Sequence, residues 1–193
     1  MLNFELFLII LVSYLFGSIP FGLLLTKIFL KKDIREIGSG NIGATNVLRA
    51  GNKILGYSTL VLDILKAVLP ILYIKFSMDD YLYISALSIF IGHVFPIWLK
   101  FKGGKGVATY LGVILALSYK FFLIFGITWL VLSLLFRYAS LSSIISSLIV
   151  FVYSYFFINN FSLILFIFLV IIIYTHRENI VRLKNSEESK IKL

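Results

Sequence analysis

The sequence predicts an all-α, polytopic integral membrane protein: a seven-transmembrane-helix bundle with the N-terminus outside and the C-terminus cytoplasmic. Hydrophobic residues make up 60% of the chain and its mean hydropathy is +1.02, which exceeds ordinary globular usage. Long apolar segments alternate with short polar connections, and basic residues collect in every second connection. A soluble fold of 193 residues could not bury this much apolar surface. We therefore expect residues 1–193 to form a single membrane domain.

The apolar segments set the predicted helices. The first lacks a basic start and a small-residue cleavage site, so we expect a retained span with a kink at Pro20. The second carries Asp63 and Lys66, and charges within a span usually face the interior of a bundle. Asp79 and Asp80 mark the turn before the third. The predicted spans run over about 4–29, 54–76, 81–99, 107–118, 121–135, 141–158 and 161–175.

The distribution of basic residues decides between seven spans and six. Residues 107–135 could form one long helix, or two helices that break near Ser118. With the break, all of the 18 lysines and arginines except Lys66, Lys75 and Lys120 lie at the cytoplasmic end of the first span, in cytoplasmic connections or in the tail. Without the break, the basic C-terminal tail would lie outside. The bias therefore predicts seven spans.

The first stretch whose residues suit ligand binding or catalysis is GSGNIGATNVLR, residues 38–49. Residues 38–43 match the dinucleotide fingerprint G-x-G-x-x-G, but a basic juxtamembrane segment precedes them instead of a strand, so we reject a dinucleotide site. Closely spaced glycines still let backbone N–H groups converge on an anion, unless the stretch is only a flexible interfacial loop. A helix that starts near Ala44 would place Thr45 and Arg49 on one face. The candidate phosphate-binding residues here are Ser39, Gly40, Asn41, Gly43, Thr45, Asn46 and Arg49.

The second stretch, IGHVFPIWLKFKGGKGVAT, ends the third apolar segment and begins the fourth. It contains Gly103-Gly104-Lys105-Gly106, which we name the glycine loop. A glycine loop that opens a helix presents N–H groups and the positive end of the helix dipole. Lys105 adds a point charge that suits a phosphate, although the spacing is not that of a Walker A motif. Lys100 and Lys102 are interpreted as ordinary positive-inside residues.

The third stretch, HRENIVRL, begins at His176 and follows the last apolar segment. If the last helix continues through it, His176, Asn179 and Arg182 lie along one stripe. The alternative is an amphipathic tail on the lipid headgroups. Ser142, at the start of the sixth segment, is either a helix cap or a site hydroxyl. His93, near the inner end of the third segment, is either a structural hydrogen-bonding group or part of the site.

Several chemistries are excluded or disfavoured by the composition. The chain has no cysteine, which excludes a thiol nucleophile. Its two histidines are too few for a metal site without carboxylates at a matching spacing. We therefore expect no metal and no cofactor, and the net charge of +9 is interpreted as membrane topology and phosphate binding, with no nucleic-acid partner.

The three stretches closely resemble the signature motifs of the bacterial acyl-phosphate:glycerol-3-phosphate acyltransferases, the PlsY family. The resemblance covers about a quarter of the chain in the motifs alone, and their order and spacing also fit. It implies a seven-span enzyme that moves a fatty acyl group from acyl phosphate to the 1-hydroxyl of glycerol 3-phosphate. The products would be 1-acylglycerol 3-phosphate (lysophosphatidic acid) and phosphate, in the first acylation step of phospholipid biosynthesis.

The resemblance also implies roles for individual residues. The catalytic group would comprise Lys105, His176, Asn179, Ser142 and Arg49. Substrate binding would fall to Ser39, Gly40, Asn41, Gly43, Thr45, Asn46, His93, Gly103, Gly104, Gly106 and Arg182. The proton acceptor would be either His176 or the departing phosphate. We expect a monomer in the bacterial inner membrane with a cytoplasmic active site.

Two other classes of protein fit parts of the sequence. A transporter for an organic phosphate would also use glycines and lysines, but it predicts broken segments in both halves and a site at the midplane. A non-enzymatic lipid-binding scaffold would explain the basic loops, but not the glycines, asparagines and histidines that accompany them. The clustering of polar residues at one surface favours the enzyme.

Overall fold

The computed structural model describes residues 4–191, and every regular element in that range is helical. The chain divides into two compact units, the first ending at Ala116 and the second beginning at Leu117. The helices are α1 (Phe4–Gly17), α2 (Phe21–Leu25), α3 (Ala44–Arg49), α4 (Lys53–Ser77), α5 (Leu82–Val94), α6 (Val107–Leu117), α7 (Tyr119–Phe136), α8 (Ala139–Phe157), α9 (Ser162–Thr175) and α10 (Arg177–Lys184). A π-helical turn continues α2, and short 3₁₀ turns lie at Ile34–Glu36, Asp79–Tyr81, Ile97–Leu99 and Asn159–Phe161.

In the first unit, α1 packs directly against α5 with the two backbones in close contact. A Cβ on Gly17 would collide with the carbonyl of Ile89, and a Cβ on Gly92 would collide with the carbonyl of Tyr14. Small residues let membrane helices approach this closely. The close packing holds the helices together, since apolar burial does not drive association within lipid. These glycines thereby bring the end of α5, and the loop that follows it, against α1.

The first predicted span is bent where the sequence predicts it. α1 ends at Gly17, and the segment that starts at Phe21 continues at an angle of 41°. Pro20 has no N–H to continue the ladder, so the helix cannot pass through it unbroken. The predicted kink is confirmed.

In the second unit, α8 packs between α7 and α9. Phe121 is fully buried and makes edge-on contacts with Tyr153 at 6.3 Å and Phe161 at 5.7 Å between ring centroids. Two buried serines on α8 bond within the helix: Ser143 donates to the carbonyl of Ala139 at 2.8 Å, and Ser147 donates to the carbonyl of Ser143 at 2.8 Å. This bonding lets polar side chains lie buried in an otherwise apolar unit.

The helices of the predicted spans differ in whether they are long and apolar enough to cross a membrane. The break at Ser118 is confirmed, because α6 ends at Leu117 and α7 begins at Tyr119. By length and composition, three helical segments can cross a bilayer: 79–99, 119–136 and 139–157. Two bent pairs raise the number to five if each is one span, and α6 has only 11 residues, about 16 Å. The protein is a helical membrane protein, and its seven-span count and orientation stay predictions.

Candidate functional site

The loop between α2 and α3 is organised by one buried amide. Asn46, only 1% exposed, donates from Nδ2 to the carbonyls of Ile34 at 3.1 Å, Ile37 at 2.8 Å and Asn41 at 2.9 Å. Its Oδ1 accepts the N–H of Ser39 at 3.0 Å. Both ends of the amide are thus occupied by the loop itself. The prediction that Asn46 binds phosphate is wrong in this respect, because its hydrogen-bonding capacity is used to shape the loop.

The other members of the first stretch lie where a ligand could reach them. α3 begins at Ala44, as predicted, with Gly43 as its N-cap residue. Thr45 and Arg49 are both exposed on this short helix, and Ser39 and Gly40 are exposed in the preceding loop. The main chain of this loop is therefore fixed from inside by Asn46 while its outer face stays open.

An acidic side chain in the same loop fixes the direction of an arginine. Asp33 binds Arg35 through Nη2 at 2.6 Å and Nε at 2.9 Å, and Lys27 lies 3.3 Å away. The side-chain hydrogen bond from Arg35 holds the pKa of Asp33 well below its usual range, although burial alone would raise it. The carboxylate therefore stays ionised and orients Arg35.

The glycine loop is held by the end of α5. Gly103 donates its N–H to the carbonyl of Val94 at 3.0 Å, and Gly104 donates to the carbonyl of His93 at 3.1 Å. The prediction that these two N–H groups bind a phosphate is wrong, because both are used to anchor the loop. Gly106 adopts φ 88°, a conformation that favours glycine, and accepts the first hydrogen bond of α6 from Tyr110 at 2.7 Å.

A cavity of about 440 Å³ lies between the first stretch and the loop that leads to Gly103. We name it the charged cavity, because three cationic side chains and no acidic one are among its described lining residues. It is lined by Arg35, Gly40, Ile42, Trp98, Leu99, Lys100, Lys102 and Gly103. The cavity brings the first two stretches together through Gly40 and Gly103. Its lining does not include Arg49 or Lys105.

An apolar groove adjoins the charged cavity. It has a volume of about 400 Å³ and shares Trp98 and Leu99 with the cavity as a common wall. The indole N–H of Trp98 donates to the carbonyl of Ser18 at 2.7 Å, which fixes that wall against the break after α1. The remaining residues of the apolar groove are Ile19, Pro20, Leu23, Leu24 and Lys27.

In the second unit, the carboxylate of Glu188, which was not predicted as a site residue, binds side chains of the third stretch. Glu188 is 8% exposed, and its Oε1 accepts from Asn179 at 2.7 Å and Ser140 at 2.8 Å. Its Oε2 accepts from Arg182 at 2.9 Å. Burial alone would raise the pKa of Glu188, but these hydrogen bonds outweigh it and hold the pKa below its usual range. Asn179 and Arg182 are thereby tied to the C-terminal tail.

His176 lies at a bend instead of on a continuous helix. α9 ends at Thr175 and α10 continues at an angle of 58°, so the predicted single stripe of His176, Asn179 and Arg182 is wrong. The imidazole is 2% exposed, with Nδ1 2.8 Å from the carbonyl of Ile172. A carbonyl can only accept, so the proton is on Nδ1 and the neutral ring has Nε2 as its acceptor nitrogen.

The remaining predicted site residue of the second unit is Ser142. Its hydroxyl donates to the carbonyl of Tyr138 at 2.9 Å, so it is not a helix cap and its oxygen lone pairs are directed elsewhere. Among residues 4–191, no three His, Cys, Asp or Glu side chains are close enough to hold a metal ion.

Comparison with known proteins assigns the family. The family model described as glycerol-3-phosphate acyltransferase matches residues 7–186. The glycerol-3-phosphate acyltransferase of Pelagibacter ubique is 61% identical over 189 residues, covering 98% of this chain and 99% of that protein. The corresponding protein of Bartonella henselae is 50% identical, covering 98% of this chain and 93% of its own length. The chain belongs to the glycerol-3-phosphate acyltransferase family.

Solved structures agree with this assignment and identify the PlsY type. The crystal structure of PlsY, an integral membrane glycerol 3-phosphate acyltransferase, in its glycerol 3-phosphate form superimposes with a TM-score of 0.91. It is 37% identical and the alignment covers 97% of this chain and 96% of that one. A second structure, the lysophosphatidic acid form, gives a TM-score of 0.88 at the same identity. The resemblance drawn from the three stretches is therefore confirmed.

Sequence reasoning missed four residues of these acyltransferase loops, each for a physical reason. Lys100 and Lys102 were interpreted as residues that set the membrane topology, but both line the charged cavity. The backbone at Lys100 is left-handed (φ 52°), which turns the chain at this point. Arg35 was predicted only as part of a basic juxtamembrane segment, because the orientation of its guanidinium depends on the contact with Asp33. Glu188 lies beyond the third stretch in sequence. A turn at Ser186, whose φ is 61°, brings its side chain back to Asn179 and Arg182.

The Glu188 cluster predicts an acid-sensitive tail in this acyltransferase. The pKa of Glu188 is lower in the folded protein than its usual value of about 4.3, so its contribution to stability is present above that value and is lost as the pH falls through the folded pKa. Lowering the pH from about 6 to about 3 should therefore reduce the melting temperature of the wild type more than that of Glu188→Gln. Glu187→Gln, the exposed neighbour, is the matched control and should melt like the wild type at each pH. Equal acid sensitivity of wild type and Glu188→Gln would contradict the prediction.

Proposed function

We propose that this protein transfers a fatty acyl group from acyl phosphate to the 1-hydroxyl of glycerol 3-phosphate, releasing lysophosphatidic acid and phosphate. The observation that carries the donor assignment is the charged cavity with the apolar groove beside it. Arg35, Lys100 and Lys102 provide positive charge, and the groove beyond Trp98 and Leu99 is apolar. An acyl phosphate has the matching chemistry, an anionic head joined directly to a hydrocarbon chain.

The acceptor is inferred from the family. The solved PlsY structure described as its glycerol 3-phosphate form is 37% identical and superimposes over nearly the whole chain. Both substrates of the proposed reaction carry a phosphate, and this accords with the number of cationic and hydrogen-bonding groups in the three stretches. A membrane transporter for an organic phosphate is disfavoured, because the chain belongs to an enzyme family.

The reaction needs no covalent enzyme intermediate. Acyl phosphate is a mixed anhydride, so the hydroxyl oxygen of glycerol 3-phosphate can attack the acyl carbon directly. A new ester C–O bond forms while the bond from the acyl carbon to the phosphate oxygen breaks, and phosphate leaves with that electron pair. Catalysis then consists of positioning, neutralising the charge that develops and accepting one proton.

Lys105 is proposed to stabilise the departing phosphate. Lys105 does not line the charged cavity, but it follows two residues after Gly103, which does. It lies between Gly104, anchored on α5, and Gly106, which opens α6. The first N–H groups of α6 have no partner one turn earlier in their own helix, so they and the Lys105 ammonium together favour an anion. Because the N–H groups of Gly103 and Gly104 are occupied, the charge stabilisation falls on Lys105 and the helix start. Arg49 is proposed to hold a phosphate from α3.

The residues of the second unit are proposed to orient glycerol 3-phosphate. Nε2 of His176 is the acceptor nitrogen of the neutral ring, so it can receive the hydroxyl proton. The alternative acceptor is the departing phosphate, which becomes more basic as the acyl–oxygen bond breaks. The Ser142 oxygen can accept a hydrogen bond from a substrate hydroxyl, and Asn179 is held by Glu188.

The deciding experiment gives the purified, detergent-solubilised protein the two substrates and measures lysophosphatidic acid. We expect turnover with acyl phosphate and at most about 1% of that rate with acyl-coenzyme A, a difference of about 3 kcal/mol in barrier. The reason is that the charged cavity, of about 440 Å³, suits a compact phosphate head better than a large nucleotide-containing one. Equal rates with the two donors would overturn the donor assignment, and no turnover with either would overturn the proposed reaction.

We also propose a cytoplasmic site in a bacterial inner membrane, from the bias of basic residues. The chain has no cysteine, so single cysteines at Ser39, Lys102 and Ser186, all exposed, give clean labels. They should react with a membrane-permeant maleimide and be protected from an impermeant one in intact cells. A cysteine at Asp80, in the turn predicted to lie outside, should react with both reagents. Labelling of any of the first three from outside would contradict the topology.

A further inference from the structure

A buried polar cluster lies within the first unit, behind the glycine loop. Asp63 and Lys66 are one helical turn apart on α4, and His93 lies near the end of α5. Their exposures are 2%, 5% and 5%. None of the three lines the charged cavity or the apolar groove. The proposed reaction makes no use of Asp63 or Lys66, so their presence needs a separate explanation.

The Lys66 ammonium has three hydrogen-bond donors and no acceptor, and it makes two hydrogen bonds and one ion pair. Nζ lies 2.7 Å from Oδ1 of Asp63, 2.9 Å from Nδ1 of His93 and 2.7 Å from the carbonyl of Ile19. These partners belong to α4, to α5 and to the break before Pro20. One side chain therefore fixes three parts of the first unit to one another.

The contact with Lys66 determines the hydrogen position on His93. Because an ammonium can only donate, Nδ1 must accept, and the neutral imidazole carries its hydrogen on Nε2. The Nε2 edge of the ring lies against Gly104, where any Cβ would collide with it. The carbonyl of His93 also accepts the N–H of Gly104 at 3.1 Å. His93 thus contacts the glycine loop through both its ring and its main chain.

Stability alone is a poor explanation for the ion pair. Replacing a buried ion pair with apolar side chains of similar volume is often neutral or stabilising, and charges within a membrane are costly to retain. A pair that fixes the ring under Gly104 has a different use, because Lys105 is the next residue.

We propose that Lys66 is a positioning residue for the glycine loop, acting through His93. Asp63 keeps Lys66 charged and directed, Lys66 fixes the rotation and tautomer of His93, and His93 supports Gly104 so that Lys105 meets the donor phosphate in one position. The loop-holding role is independent of the reaction, whereas the effect on Lys105 rests on the proposed function. The two parts can be tested separately.

The test uses the full chain in detergent and an apolar double variant, Asp63→Leu with Lys66→Met. Hydrogen–deuterium exchange of residues 100–106 should become at least about tenfold faster, while the protein still unfolds cooperatively. The KM for acyl phosphate should rise about tenfold or more, because loss of positioning far from the chemistry can cost up to about a hundredfold. The KM for glycerol 3-phosphate should be unchanged, which a general loss of structure would not produce.

A matched control removes a different buried polar contact in the same unit. Ser13 and Ser85 join α1 to α5 through hydroxyls 2.9 Å apart, a hydrogen bond in which the glycine loop takes no part. Ser13→Ala with Ser85→Ala should leave both the exchange of residues 100–106 and the KM for acyl phosphate as in the wild type. If this pair loosens the loop as much as the ion-pair variant does, Lys66 has no specific positioning role.

If the double variant does not fold, His93→Asn separates the two contacts. The shorter amide side chain can place an acceptor near the former Nδ1, so Lys66 keeps a partner, but the Nε2 edge under Gly104 is lost. The expected result is a folded protein with faster exchange over residues 100–106. A folded variant, of either kind, whose loop exchanges like the wild type would overturn the proposal. Turnover is not needed for this measurement, so it remains decisive even if wild-type protein is inactive with acyl phosphate.

Discussion

Lys105→Ala should reduce kcat by about a hundredfold or more, because it removes the cation that neutralises the phosphate as it leaves. The loss should appear mainly in kcat, since the charge on the phosphate is greatest as the acyl–oxygen bond breaks. Lys105→Arg keeps the charge, but changes its shape and reach, and should recover only part of the rate. Steady-state kinetics at matched protein concentration measure both.

The control for Lys105 must remove a charge from the same unit without touching the site. Lys53→Ala does this, because Lys53 is exposed at the start of α4, and its activity should stay within about twofold of the wild type. Lys102→Ala is a different test, since Lys102 lines the charged cavity. It should raise the KM for acyl phosphate and leave kcat nearly unchanged. If Lys53→Ala and Lys105→Ala lose activity equally, Lys105 is not a dedicated phosphate ligand.

Asn46→Asp should abolish the shape of the loop between α2 and α3, although it changes the side chain by a single atom type. The Nδ2 group donates to three backbone carbonyls, and a carboxylate oxygen in its place would face those carbonyls as a second acceptor. Loss of buried donors to several carbonyls costs about 1–3 kcal/mol for each unsatisfied group. We expect rapid proteolysis within residues 34–41 and a loss of activity exceeding about a hundredfold.

The same substitution at the next asparagine along the chain should be harmless. Asn52 caps α4 with its oxygen only, accepting the N–H of Leu55 at 2.9 Å, and aspartate caps a helix equally well. Asn52→Asp should therefore keep the wild-type melting temperature and activity. If Asn46→Asp behaves like Asn52→Asp, the amide does not organise the loop.

The helices were predictable from the sequence because their signals are local. Long apolar runs, Pro20 and the polar residues near Ser118 each act within a few neighbours, and the breaks occur where those residues lie. The bend at His176 was not predictable, because nothing in HRENIVRL interrupts a helix by propensity alone. It depends on packing of α10 against α8 and α9.

The location of the candidate site along the chain was predictable from the sequence, but the role of each residue in it was not. Glycines, asparagines and lysines identify a phosphate-binding stretch, yet the direction of an amide or an N–H group follows from the fold around it. Asn46 and Gly104 point their donors into the protein, whereas Lys102 lines the charged cavity. Glu188 could not be assigned from spacing, because its partners are up to 48 residues away.

The wall between the charged cavity and the apolar groove gives the protein a built-in optical probe. The chain contains two tryptophans, one in each unit: Trp98 forms that wall, and Trp129 on α7 donates to Ser143 at 3.0 Å. Trp98 is 54% exposed, so its emission depends on what displaces water or lipid beside its indole. With Trp129 replaced by phenylalanine, the fluorescence of a single ring would report the arrival of an amphiphile, its head on one side of the indole and its chain on the other.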